Sequence, residues 1–140
     1  MLPVRVYFED TDFSGVVYHA TYLRWCERGR SDFLRLLGVG PDSLFNGPLT
    51  GERCAFAVRR IVADYLRPAR IDDLLEVHTA VAEVSKASIV LSQSVLREAS
   101  TFFRLQAQCV LISHAGRVLR FPHRLSKLLE TAPGGSAGGT

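Results

Sequence analysis

The spacing of apolar positions along the chain changes character twice. Residues 3–8, PVRVYF, alternate and are rich in β-branched and aromatic side chains, which predicts a short strand. From about His19 to Leu37 the period lengthens: Tyr22, Leu23, Cys26, Phe33, Leu34 and Leu37 recur at helical spacing, with Arg24, Glu27, Arg28 and Arg35 between them. The spacing predicts a helix roughly 27 Å long. Gly38 is a natural stop for it, and the Gly-, Pro-, Asp- and Asn-rich run GVGPDSLFNGPLTG that follows reads as loop.

Beyond that loop the pattern is β. CAFAVRRIVADYL, LLEVHTAVAEV, SIVLSQSVLRE and TFFRLQAQCVLIS each hold a strand, separated by RPARIDD, SKA and EAST, and HAGR is a tight turn before VLRF. Polar and apolar residues alternate in SQSVL and RLQAQCVLI, so one face packs inward while the other meets solvent or a second subunit. Pro122 ends the last strand, HRLSKLLE forms a short helix, and residues 131–140 form a flexible tail. The expected fold is therefore α+β, with five or six antiparallel strands and one long helix against the sheet. Segments of 11 to 13 residues exceed the usual strand length, and one helix cannot cover so wide a sheet, which invites dimerisation.

Composition narrows this picture. At 140 residues, 47% hydrophobic and 22% charged, the chain has material for one core and no second domain. A net charge of +3, scattered rather than striped, argues against nucleic acid but leaves a phosphate-bearing small molecule open. Cys26, Cys54 and Cys109 are odd in number and far apart, which suits free thiols and a cytoplasmic location. Neither a signal segment nor an apolar run of about 18 residues is visible, so no membrane span is expected.

The candidate chemistry lies in EDTDFSGVVYHATY, residues 9–22. Asp12 stands a few residues before the predicted helix start, and Gly15 allows a tight turn between them. A helix N-terminus carries backbone N–H groups without intrahelical partners at the positive end of the macrodipole. A carboxylate and a set of donors are thereby brought to one place. Asp10 and Glu9 read as solvated or structural.

The run Arg5-Val6, Thr11-Asp12, Gly15-Val16-Val17-Tyr18 and Tyr22 resembles the signature of the 4-hydroxybenzoyl-CoA thioesterase branch of the hotdog-fold superfamily. EDTDFSGVVYHATYLRWCERGRSDFLRLLG is more closely similar to the Tol-Pal-associated acyl-CoA thioesterase group, and the likeness continues through DYLRPARIDDLLEV, SKAS and GRVLRFPHRL. The resemblance implies a hotdog domain over residues 1–130 that pairs through its sheet into a homodimer, assembles further to a tetramer and places its sites at the dimer interface. It implies an acyl-CoA substrate, with acyl carrier protein as a possible alternative thiol carrier, and no cofactor. It puts the catalytic carboxylate on Asp12, with His19 in the site, backbone N–H groups near Val17 to His19 on the thioester carbonyl, and Tyr18 lining the acyl pocket. That assignment suits the chemistry: thioester hydrolysis needs a nucleophile or a base for water, and donors where negative charge develops.

Coenzyme A also carries phosphates, for which Arg60, Lys86 and Arg124 are candidate contacts. Glu27, flanked by Arg24, Arg28 and Arg30, reads as a helix salt-link residue, although some hotdog thioesterases place a catalytic Glu on the helix. Cys26 has no base beside it in the pattern and reads as core. His78, His114 and His123 lack metal-ligand spacing, so no metal is expected. Two other functions fit the same fold: a hotdog dehydratase, which would need its His in a different motif, and a non-hydrolytic acyl-CoA or acyl-carrier-protein binder.

Overall fold

In the computed structural model the described residues are 1–132; the tail expected over 131–140 lies outside them from residue 133 onward. The first strand, β1, runs Leu2–Arg5, shorter than its alternating pattern suggests. Val6 still trades backbone hydrogen bonds with Asp72 and Asp73, but the Asp10 carboxylate accepts the Tyr7 N–H at 2.9 Å and turns Phe8–Asp10 into a 3-10 helix. A side chain five places beyond the strand thus helps to end it.

Helix α1 spans His19–Leu36. It stops as expected: Gly38 takes φ 84° and donates to Arg35 O, while Val39 donates to Leu34 O at 2.8 Å, a Schellman cap. The loop that follows contains an unexpected short helix, α2, Pro41–Phe45, with Pro at its start and Leu44 buried in the core. The Pro at the first helical position was the signal for it.

Then come β2 Cys54–Tyr65, β3 Leu74–Val84, β4 Ile89–Arg97, β5 Ser100–Ser113 and β6 Val118–Leu119, followed by helix α3 His123–Glu130. All pairings are antiparallel, in the order β1-β3-β4-β5-β2 with β6 beside β5. The expected HAGR turn forms with Gly116 at φ 87°. Strand β2 lies at the sheet's edge, and Val58, Ile61, Val62 and Tyr65 on it are exposed.

The helix faces the sheet with Thr21, Tyr22, Trp25, Cys26, Gly29 and Arg30. Leu23, Phe33 and Leu34, which the periodicity points inward, are only partly buried. Gly29 explains how close the two layers come: a Cβ there would sit 2.8 Å from the Val77 side chain. Around this contact Gln93 donates to Cys26 O at 2.8 Å and to Thr79 Oγ1 at 2.9 Å, and accepts from Arg30 Nη1 at 2.8 Å. The buried polar groups are thereby partnered. The salt links expected of Glu27 are not made among the described residues, where the helix ion pair is instead Arg35–Asp32. Arg30 turns inward to Gln93, which leaves Glu27 on the exposed side.

Candidate active site

Residues 11–17 form a miniature hairpin. Asp12 N–H donates to Val16 O at 2.9 Å, Gly15 N–H donates to Asp12 O at 3.0 Å, and Thr11 bridges to Val17. Gly15 closes the turn at φ 86° with open space where a Cβ would be, so glycine is needed for its backbone and not for room. The turn aims the Asp12 carboxylate outward. Its Oδ1 accepts the Ser14 N–H at 2.8 Å and the Ser14 hydroxyl. The Ser14 hydroxyl, then the Ser14 N–H, hold the Asp12 carboxyl below the ordinary carboxylate value, so it is ionised at neutral pH.

Val16 bridges to Arg70, and Val17 N–H donates to Ala69 O at 2.8 Å. Tyr18 N–H donates to Asp10 O at 2.9 Å, which gives Asp10 its structural part. Tyr18 is the extended residue before α1 and supplies no side-chain cap. Its carbonyl accepts from Thr21 N–H at 2.9 Å. Among the described residues the His19 and Ala20 N–H groups have no acceptor. Of the N–H groups near Val17 to His19 expected on the carbonyl, those of Val17 and Tyr18 are committed to the fold, and the open pair is His19 with its neighbour Ala20. Val17 is buried, whereas the side chains of Tyr18 and His19 are exposed.

The His19 ring packs on Tyr18 at 4.4 Å between centroids and stands edge-on to Tyr65 at 6.5 Å. Among the described residues it shares no hydrogen bond with Asp12. It lines a cleft of about 270 Å³ with Val17, Tyr22, Tyr65, Arg67 and Pro68. The far wall of that cleft is the segment 65–68, and this part of the chain is tied to the helix start twice: Tyr65 Oη donates to His19 O at 2.9 Å, and Ala69 N–H donates to Tyr22 Oη at 3.1 Å.

Sequence reasoning did not single out Tyr65, Arg67 or Arg70. The signal was the RPAR break directly after a strand, a place where cationic side chains reach the rim of a sheet. The cations it did single out lie elsewhere in this chain. Lys86 follows β3 at its far end, roughly 30 Å of strand from the end paired with β1. Its carbonyl accepts Phe121 N–H at 2.8 Å, close to the turn into α3 that carries Arg124. Arg60 is exposed in mid-β2 opposite Gln108, roughly 17 Å along the strand from Tyr65. Of the other candidates, Cys26 is fully buried and its thiol is pushed up to about 12 by burial, consistent with a core role. His78 pairs with Glu76 at 3.0 Å, and among the described residues no group of three or more His, Cys, Asp or Glu is placed to hold a metal.

The profile of the thioesterase superfamily matches residues 14–101. The acyl-CoA thioesterase YbgC of Haemophilus influenzae is 46% identical over 95 residues, covering 68% of this chain and 67% of that protein. The acyl-CoA thioester hydrolase YbgC of Escherichia coli is 41% identical over 99 residues, 71% of this chain and 70% of its own length. Among solved structures, a probable thioesterase from Bartonella henselae superposes with a TM-score of 0.81 at 40% identity, over 86% of this chain and 97% of that one. Together with the curled antiparallel sheet and its long helix, these matches show that the chain belongs to the thioesterase superfamily and has its hotdog fold.

Proposed function

We propose that residues 1–130 form one enzyme domain that hydrolyses acyl-CoA thioesters, releasing a carboxylic acid and free coenzyme A. The observation that carries this reading is the Asp12 carboxylate, ionised and one glycine turn from two open amides at an uncapped helix start. The thioester carbonyl oxygen sits on the N–H groups of His19 and Ala20, where developing negative charge meets fixed dipoles. One donor of this kind is worth about 10²–10³ in rate. Asp12 then attacks the carbonyl carbon or takes a proton from the water that does. Ser14 holds Oδ1, which leaves Oδ2 for that step.

His19 acts on the substrate side. Its ring belongs to the cleft with Tyr65 and Arg67 and makes no bond to the carboxylate, which supports contact with the thioester arm over orientation of Asp12. Arg67 lines this cleft and is exposed, and the exposed Arg70 follows three residues on. Arg60 and Lys86 reach coenzyme A phosphates only from a second subunit. A homodimer formed across the open edge of β2 is supported by that strand's position and its exposed Val58, Ile61 and Val62. A cytoplasmic setting is supported by three buried free thiols; among the described residues no helix is long and apolar enough to cross a membrane.

The test is thiol release from a panel of acyl-CoAs, short aliphatic through long-chain and aromatic, by the wild type and by Asp12→Asn. Turnover that disappears in the variant is expected; equal rates would remove Asp12 from the mechanism. Single turnover in isotopically labelled water separates direct water attack from a covalent anhydride, because label enters the Asp12 carboxylate only by the second route.

A further inference from the structure

We infer that Tyr65 is a positioning residue for the oxyanion site. The inference rests on the reading of the His19 and Ala20 amides given above. The carbonyl of His19 and the N–H of Ala20 belong to one peptide group, held planar by its resonance. Tyr65 Oη donates to the oxygen of that group at 2.9 Å, across 46 residues of sequence, while its N–H points out of the uncapped helix start. A donor on the oxygen draws electron density away from the nitrogen and makes the N–H at the other end a stronger donor, since hydrogen bonds in a chain polarise one another. The same bond gives a second anchor to a peptide that the first turn of the helix already orients, and so steadies the direction in which the Ala20 N–H points.

Tyr65 is built for this task by its surroundings. Its ring stands edge-on to Phe103 at 4.9 Å and to Tyr22 at 5.7 Å, and Tyr22 is itself stacked on Phe103 at 4.9 Å. These contacts hold one side of the half-exposed ring and direct its hydroxyl to the His19 carbonyl. The neighbouring peptide between Tyr18 and His19 is held differently, by Thr21 N–H on its carbonyl within the same turn. Both open amides thus belong to peptides that the helix holds, and the second is held in addition by a side chain from the end of β2.

The experiment is Tyr65→Phe, which keeps the ring packing and removes the donor. Loss of one such hydrogen bond lowers kcat about three- to tenfold. KM for acyl-CoA stays within a factor of about two, because the effect falls on charge that develops only in the transition state. Amide NMR of the variant shows the Ala20 proton moving upfield while His19 holds its place, a readout that loosened packing alone would not give. An unchanged kcat, or a loss confined to KM, overturns the assignment. Asp12→Asn assayed alongside separates the two readings: if it is inactive while Tyr65→Phe is wild-type, Tyr65 loses its role and the site stands; if Asp12→Asn retains full activity, the site reading itself falls.

Discussion

The first turn of α1 and its middle are both polar, and they are built in opposite ways. In the middle, Gln93 answers Arg30, Cys26 O and Thr79 with three hydrogen bonds, under a helix brought in close by Gly29. At the start, the cap position carries Tyr18 without a side-chain cap, and the His19 and Ala20 amides have no acceptor among the described residues. One arrangement closes its polar groups against each other; the other holds them in place and leaves them open. A buried polar cluster contributes to stability only when it is satisfied, whereas donors at a reaction centre are useful because something else will satisfy them. The same helix thus carries a closed polar centre and an open one, little more than two turns apart.

Substitutions sharpen that contrast, and the largest effect falls on the open end. Asp12→Asn is expected to lower kcat/KM by about 10²–10⁴ without shifting the unfolding midpoint, since the carboxylate is solvent-exposed. Thiol release and thermal melts measure both. Gln93→Leu reverses the pattern. It leaves the Arg30 guanidinium without its acceptor and destabilises the fold by about 1–3 kcal/mol in urea titrations, with activity per folded molecule retained.

Gly29→Ala forces Val77 to move and costs about 1–3 kcal/mol by overpacking, again with little change in kcat. The smallest effect is electrostatic. Ser14→Ala removes the hydroxyl that does most to hold the Asp12 carboxyl down, so its pKa rises toward the ordinary value. With Asp12 in its proposed role the rate needs the ionised carboxylate, which the wild type keeps to a lower pH; in the variant the acid limb of the kcat/KM profile is expected to move to higher pH while the rate at neutral pH holds. An acid limb that stays where it was would detach that limb from Asp12.

Periods of 3.6 and 2 made most of the fold legible. The helix start at His19, the strand Leu74–Val84 and the helix His123–Glu130 fall where the pattern put them. Local chemistry that competes with periodicity was harder to see. The Asp10 carboxylate cut β1 short, and the Pro41 start nucleated α2 inside a run dense in turn residues. The inward face of α1 was partly misread because Gly29 and Arg30 occupy it; neither is apolar by type, and only the near approach of β3 and β4 makes them interior.

At the site, the Asp12 turn and the helix start were readable because they lie in one short stretch. Which amides remain open was not, because Val17 is answered by Ala69, more than fifty residues away in sequence. Tyr65 belongs to the same class. Its role depends on which carbonyl its hydroxyl meets, a fact of tertiary packing that no residue type encodes.

The three cysteines give the molecule its own clock. Cys26 lies in the helix, Cys54 at the start of the edge strand and Cys109 inside the sheet, and each is at most 3% exposed. Burial raises the thiol pKa of Cys26 and of Cys109, so an alkylating reagent finds almost no thiolate on either until that part of the chain opens. Labelling rates at the three positions, read by mass spectrometry, therefore report how often the helix, the edge and the sheet interior each come apart. The order of those rates shows whether the hotdog opens as one unit or peels from its edge.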